Sequence, residues 1–251
     1  VHMHQNHCNL GLFYFSFVGC SIKCKEIPME LVFVIDSSES VGPENFEIIK
    51  DFVTALVDRV TVGRNATRIA LVLYSLEVRL EFGLNKYPTQ QDVKRAIRKM
   101  QYMGEGTYTG TAIRKATQEG FSGARAGVRK VAIVLTDGQT DKREAVKLDL
   151  VVREAHAASI EMYAIGIVNT SDPTQDEFVR ELNMIASDPD REHMYLIDDF
   201  NTLSGEFTEV LFCFVSDASQ KGDAVDVKTA DTTSSQLFGL QFQFAHETGC
   251  T

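Results

Sequence analysis

Residues 31–35 read Leu-Val-Phe-Val-Ile, five apolar side chains in succession, and the run stops abruptly at Asp36. A strand with one wet face alternates apolar and polar residues. An unbroken run rich in β-branched and aromatic residues belongs to a strand covered on both faces. Similar runs recur at 69–74 (Ile-Ala-Leu-Val-Leu-Tyr), 131–135 (Val-Ala-Ile-Val-Leu) and 162–168 (Met-Tyr-Ala-Ile-Gly-Ile-Val), with a short strand at 194–197. Residues 78–82, Val-Arg-Leu-Glu-Phe, alternate apolar and charged side chains, as an antiparallel edge strand in a hairpin with 69–74 does.

The segments between these strands carry helical spacing. Phe46, Ile49, Val53, Leu56, Val57 and Val60 share one face after Pro43, whose missing N–H costs nothing in a first turn. Thr89 caps a helix with Val93, Ile97 and Met100 inward. Further helices are expected at 111–121, at 141–157 (built on Ala145, Leu148, Val152 and Ala155), at 176–185 and at 198–212. Strands alternating with helices imply a doubly wound, three-layer α/β/α fold with a mostly parallel central sheet and one antiparallel edge strand.

The 251 residues suffice for one domain with a full core plus extensions, and a net charge of −10 argues against nucleic acid or an anionic membrane surface as partner. No run is apolar enough for membrane insertion in the mature chain. Leu10–Val18 followed by Gly19 and Cys20 resembles the apolar core of a secretory signal, so residues 1–23 read as a leader or N-terminal extension. The other reading is a short apolar segment lying on the domain. Residues 214–251 are a polar tail or linker, with Leu237–Phe244 as an isolated strand-like stretch. Sequons at Asn65 and Asn169 fit a secreted glycoprotein. The five cysteines (Cys8, Cys20, Cys24, Cys213 and Cys250) form no Cys-x-x-Cys pair, which disfavours zinc. His2, His4, His7 and Cys8 cluster in the leader, whereas His156 and His193 have no partner at ligand spacing and read as structural.

Three polar motifs end or follow the apolar runs. Asp36-Ser37-Ser38-Glu39-Ser40 offers a carboxylate and hydroxyls at spacing two, a hard-oxygen set suited to Mg²⁺. The plain alternative is a set of turn and capping residues. Gly106-Thr107-Tyr108-Thr109-Gly110 precedes a helix, where Thr107 is either a further ligand or, like Thr109, a cap. Gly104, Gly106 and Gly110 only brush against a dinucleotide fingerprint, which should follow a strand directly. Leu135-Thr136-Asp137-Gly138 places a second carboxylate at the end of a core strand, though Asp-Gly is also a common turn pair.

In this order, over roughly Cys24 to Cys213, the three motifs resemble the metal-ion-dependent adhesion site of the von Willebrand factor type A domain. The resemblance is to the extracellular matrix type, as in matrilins and non-fibrillar collagens. It implies a domain at 24–213 in which Ser38, Ser40 and Thr107 bind Mg²⁺ or Mn²⁺ directly, with Asp36 and Asp137 acting directly or through water. It implies that an acidic residue of a matrix partner such as collagen fills the open coordination position, so the role is adhesion and not catalysis. Ser37, Glu39, Glu105 and Tyr108 would form the partner-binding rim. Cys24 and Cys213 resemble the pair closing many matrix-type domains, a bridge worth about 4–5 kcal/mol in the chain-entropy model. Alternatives are a metal-independent assembly module, with self-association through the parent protein, and a Mg²⁺-dependent hydrolase. The last lacks Gly-x-Ser-x-Gly, His-Glu-x-x-His, a Walker lysine or a general base near the motifs.

Overall fold

The computed structural model describes residues 26–168 and 175–216. The apolar run forms β1 (Met29–Asp36), in the middle of a six-stranded sheet with β2 (Arg68–Tyr74), β3 (Val78–Phe82), β4 (Arg129–Thr136), β5 (Ile160–Ile167) and β6 (Met194–Ile197). The strand order is β3-β2-β1-β4-β5-β6. Every neighbouring pair is parallel except β2 and β3, so the antiparallel edge lies where the alternating sequence of 78–82 puts it.

Both faces of the sheet are covered. Leu31, Phe33 and Ile35 pack on one side with α1 (Gly42–Asp58), α2 (Gln90–Arg98) and α7 (Glu206–Ser216). Val32 and Val34 pack on the other with α3 (Thr109–Lys115), α4 (Leu148–Ala157) and α5 (Asp176–Ile185). The doubly wound three-layer fold expected from the run at 31–35 is therefore the fold observed. A single turn, α6 (Asp190–His193), leads into β6. Pro43 stands in the first turn of α1, and the Thr89 hydroxyl accepts the Asp92 N–H at the start of α2.

Two helices differ from expectation. The segment 141–157 is helical only from Leu148; Ala145 is exposed, and residues 141–147 form an irregular strap. Its backbone is committed elsewhere: the Asp141 N–H bonds the Thr107 carbonyl (2.9 Å) and the Thr140 N–H bonds Glu181 Oε2 (2.8 Å). The segment 198–212 is a 3₁₀ turn at Phe200–Leu203, a break at Gly205, whose φ of 71° suits a residue without Cβ, and then α7, which runs on to Ser216. α3 starts at Thr109 and continues as a π-helical turn at Ala116–Gly120.

β1 and β4 are adjacent, with crossovers leaving them in opposite directions across the sheet. Open α/β sheets form a crevice at the carboxyl ends of such a strand pair. The register aligns Ile35 with Leu135, so Asp36 and Thr136-Asp137 emerge together at that crevice.

Candidate metal centre

Asp36 is fully buried at the end of β1. Its Oδ1 accepts the Ser38 N–H (2.8 Å), a turn that folds residues 37–40 back over the strand end. Its Oδ2 accepts the Thr136 hydroxyl from β4 (2.7 Å). Ser40 Oγ donates to Asp137 Oδ1 (2.7 Å). Ser38 Oγ lies 3.1 Å from Ser40 Oγ, so hydroxyl contacts run from Ser38 through Ser40 to Asp137. Asp36, Ser38, Ser40 and Asp137 thus form one connected set of hard oxygens.

Thr107 is buried and arrives on the loop 104–108. That loop is tied down by Gly104 N–H to the Ser37 carbonyl (2.9 Å), Leu76 N–H to the Glu105 carbonyl (2.8 Å) and Tyr108 N–H to the Ser75 carbonyl (3.0 Å). Neither Thr107 nor Thr109 caps α3: Tyr108 stands at the cap position and makes no side-chain cap bond. The carboxylate of Glu144 accepts the Gly110 N–H (3.1 Å) and the Thr111 N–H instead.

The electrostatics test whether a cation suits this set. Burial pushes Asp36 up, and the neighbouring Asp137 pushes it further, to about 7. Burial also raises Asp137. Burial and the charge of Asp36 raise the Tyr74 hydroxyl in β2 well above its ordinary value. Among the described residues neither carboxylate is ion-paired, although the protein forms such pairs readily elsewhere. Two desolvated carboxylates without a cation oppose each other's ionisation, and a divalent ion removes the conflict. The described residues hold no group of three or more His, Cys, Asp or Glu able to ligate a metal. The donors are therefore two carboxylates with hydroxyls, the chemistry of Mg²⁺ or Mn²⁺ in a partly hydrated site.

The rim differs from expectation at one position. Ser37 is fully buried and its Oγ accepts the Met103 N–H (2.9 Å), so it is a buckle between loops and not a surface contact. Glu39 and Glu105 are exposed and Tyr108 is half-buried. Arg143 is exposed and paired with Asp141, whose hydrogen bonds and charge hold its proton more tightly. Four supporting residues had no role assigned from sequence: Thr136, Tyr102, whose hydroxyl donates to the Ser38 carbonyl (3.0 Å), Tyr74 and Glu144. Only Thr136, beside Asp137 at a strand end, carried a local signal.

Asn65 is exposed in the turn after α1, while Asn169 lies outside the described residues. Cys213, in α7, is disulfide-bonded. Cys24 and the other three cysteines, the histidine-rich start, Leu10–Val18 and Leu237–Phe244 also lie outside the described residues. His193 is buried, with Nε2 2.9 Å from Glu161 and Nδ1 3.1 Å from the Pro189 carbonyl, which fits its structural reading.

Residues 30–209 match the von Willebrand factor type A domain family. The chain is 40% identical over 197 residues to mouse matrilin-2, covering 75% of this chain and 19% of that protein. It is 39% identical over 178 residues to human matrilin-1 (70% and 34%) and 38% identical over 199 residues to mouse matrilin-3 (76% and 39%). Its span is therefore about a fifth to two fifths of these relatives. Among solved structures it resembles proximal thread matrix protein 1 from the mussel byssus, with a TM-score of 0.66 and 27% identity, covering 79% of this chain and 48% of that one. A second structure of that protein, with a zinc-occupied metal-ion-dependent adhesion site, gives a TM-score of 0.64 at 28% identity, covering 77% and 49%.

The chain belongs to the von Willebrand factor type A domain family. Within it, the chain is of the secreted, extracellular-matrix type that the matrilins represent. No helix among the described residues is long and apolar enough to cross a membrane.

Proposed function

We propose that this domain is an adhesive module whose Asp36, Ser38, Ser40, Thr107 and Asp137 hold Mg²⁺ or Mn²⁺ and present it to an acidic residue of a matrix partner such as collagen. The observation that carries this is the buried carboxylate of Asp36 and the half-buried one of Asp137, neither ion-paired among the described residues, with the hydroxyls of Ser38 and Ser40 beside them at the β1–β4 crevice. The zinc-occupied site of the mussel protein supports it. When bound, the cation supplies positive charge and an open coordination position for a partner carboxylate.

The protein's own groups do the rest. Thr136 and the Ser38 N–H hold the two oxygens of Asp36 in place. Ser40 orients Asp137, and Tyr102 fixes the loop that carries both serines. Glu39, Glu105 and Tyr108 surround the opening, and this acidic rim with one aromatic favours a partner with basic residues beside its carboxylate. The role is binding and not catalysis, in keeping with the matrilin relatives. We take residues 24–213 as the domain, closed by a bridge between Cys24 and the disulfide-bonded Cys213, with Asn65 and Asn169 as glycan acceptors.

The test is solid-phase binding of the chain to collagen and to a matrix extract, in Mg²⁺ and in EDTA, beside Ser38→Ala. Binding that disappears in EDTA and in the variant is the expected result. Binding unchanged by both would make the domain a metal-independent assembly module.

A further inference from the structure

Residues 141–147, expected to be helical, are instead a strap laid across the loop that carries Thr107. It grips the chain at two points, the threonine and the start of α3 just after it. At the first, the Asp141 N–H bonds the carbonyl of Thr107 itself (2.9 Å). At the second, the Glu144 carboxylate takes the N–H groups of Gly110 (3.1 Å) and Thr111. The grip is built from within: Glu144 N–H bonds the Asp141 carbonyl (2.9 Å), and Asp141 Oδ1 accepts from the Arg143 N–H and Nε (2.9 Å each).

Two glycines leave the room the strap occupies. A Cβ at Gly110 would stand 3.2 and 3.3 Å from the Glu144 oxygens. One at Gly106 would stand 3.3 Å from Asp141 Oδ2 and collide with Leu76 at 2.3 Å. The Thr140 N–H, held by Glu181 Oε2 (2.8 Å), anchors the strap to α5.

We infer that Glu144 is a positioning residue for the cation site: by holding the first amides of α3 it sets Thr107 against Asp36, Ser38, Ser40 and Asp137. This rests on the cation reading proposed above. Glu144 touches neither carboxylate of the site in any hydrogen bond among the described residues, so its influence passes through Thr107. A negative charge at a helix N-terminus also stabilises the helix, which a purely structural role would share. The test must therefore separate the two.

The full chain is titrated with Mn²⁺ by calorimetry as wild type, Thr107→Ala, Glu144→Ala, Glu144→Gln and the double variant Thr107→Ala/Glu144→Ala. Glu144→Ala should bind Mn²⁺ about tenfold more weakly. Glu144→Gln, which keeps one acceptor oxygen, should fall between. Because coupled residues are non-additive, Glu144→Ala should cost nothing further once Thr107 is alanine. Hydrogen exchange in EDTA supplies a metal-free readout: the amides of Gly110 and Thr111 should lose protection in Glu144→Ala. If Glu144→Ala fails to fold, the same cycle is run with Glu144→Gln. Wild-type affinity in the folded Glu144 variants, or fully additive losses, would overturn the inference while leaving the cation reading intact. No Mn²⁺ binding by the wild type would overturn both.

Discussion

Thr136 Oγ1 donates a 2.7 Å hydrogen bond to Oδ2 of Asp36, joining the carboxyl ends of β4 and β1 at the crevice where the strand order reverses. The contact spans a hundred residues of chain and is buried. It favours the ionised form of a carboxylate that burial otherwise drives towards protonation. Thr136→Val removes the donor and keeps the shape. In EDTA at pH 8 it should cost about 1.5–3 kcal/mol, the usual worth of a hydrogen bond to a charged group. At pH 5, with the carboxyl protonated, the loss should be smaller. Urea unfolding at the two pH values checks this, with Thr136→Ser expected to recover most of the loss.

The metal-free domain should become less stable as pH rises from about 4 to about 8. Asp36 is pushed up to about 7 in the fold by burial and by Asp137, and stands near the ordinary aspartate value of 3.8 when unfolded. A carboxyl with a raised folded pKa contributes stability that is full below the unfolded pKa and is lost as pH rises through the folded one. A shift of that size corresponds to roughly 4 kcal/mol as an upper figure, shared with Asp137 because the two titrate as a pair. Thermal unfolding in EDTA should therefore give a lower Tm at pH 8 than at pH 5. Mg²⁺ should raise Tm more at pH 8, where it displaces fewer protons. A metal-free Tm rising across this window would contradict the account.

At the opposite end of the sheet the sign reverses. Burial pushes Glu161 up, but hydrogen bonds from His193 and Arg129 overcome it and hold the carboxyl well below the usual range. A depressed carboxyl stabilises above its unfolded pKa, and that contribution is lost as pH falls through the folded one, so it matters below about pH 4.5. Arg129 also donates to the Val215 carbonyl, and Tyr163 to that of Phe214 (3.0 Å), so the cluster anchors the end of α7. Glu161→Ala should cost about 2 kcal/mol, less than breaking a fully buried pair because Glu161 is partly exposed. Hydrogen exchange should show α7 losing protection first.

Gly106 and Gly127 share a positive φ, 71° and 73°, but have different surroundings. A Cβ at Gly127 meets nothing within 4 Å, whereas one at Gly106 overlaps Leu76. Gly127→Ala should cost about 1 kcal/mol from backbone strain alone. Gly106→Ala should add a packing cost of about 1–3 kcal/mol and disturb the Thr107 loop. Denaturation of both variants, with a Mn²⁺ titration of each, separates strain from site damage: only Gly106→Ala should weaken the cation.

What could be read from the sequence was local. The run at 31–35 has no polar residue on either face, and that alone demands cover on both sides. The carboxylates of Asp36 and Asp137 stand where apolar runs end, so their convergence follows once both strands are parallel neighbours. Ala145 and Leu148 fit a helical face, yet the strap is irregular because the Asp141 N–H bonds the Thr107 carbonyl and Glu144 bonds the first amides of α3, more than thirty residues away. The family resemblance put Ser37 in the rim, as one of the two residues of the 36–40 loop not expected to face the metal. Its partner, the Met103 N–H, is set by tertiary packing. Glu30 sits at the start of the central strand, fully buried, because Arg68 and Arg125 reach it from 38 and 95 residues away.

The central claim is that Asp36, Ser38, Ser40, Thr107 and Asp137 form one divalent-cation site. Its most direct test is calorimetric titration of Mg²⁺ and Mn²⁺ into the full chain at pH 7.5, beside Ser38→Ala and Asp137→Asn. A single saturable site is expected in the wild type, lost in both variants. Failure of the wild type to bind either ion, or variants that bind as the wild type does, would contradict it.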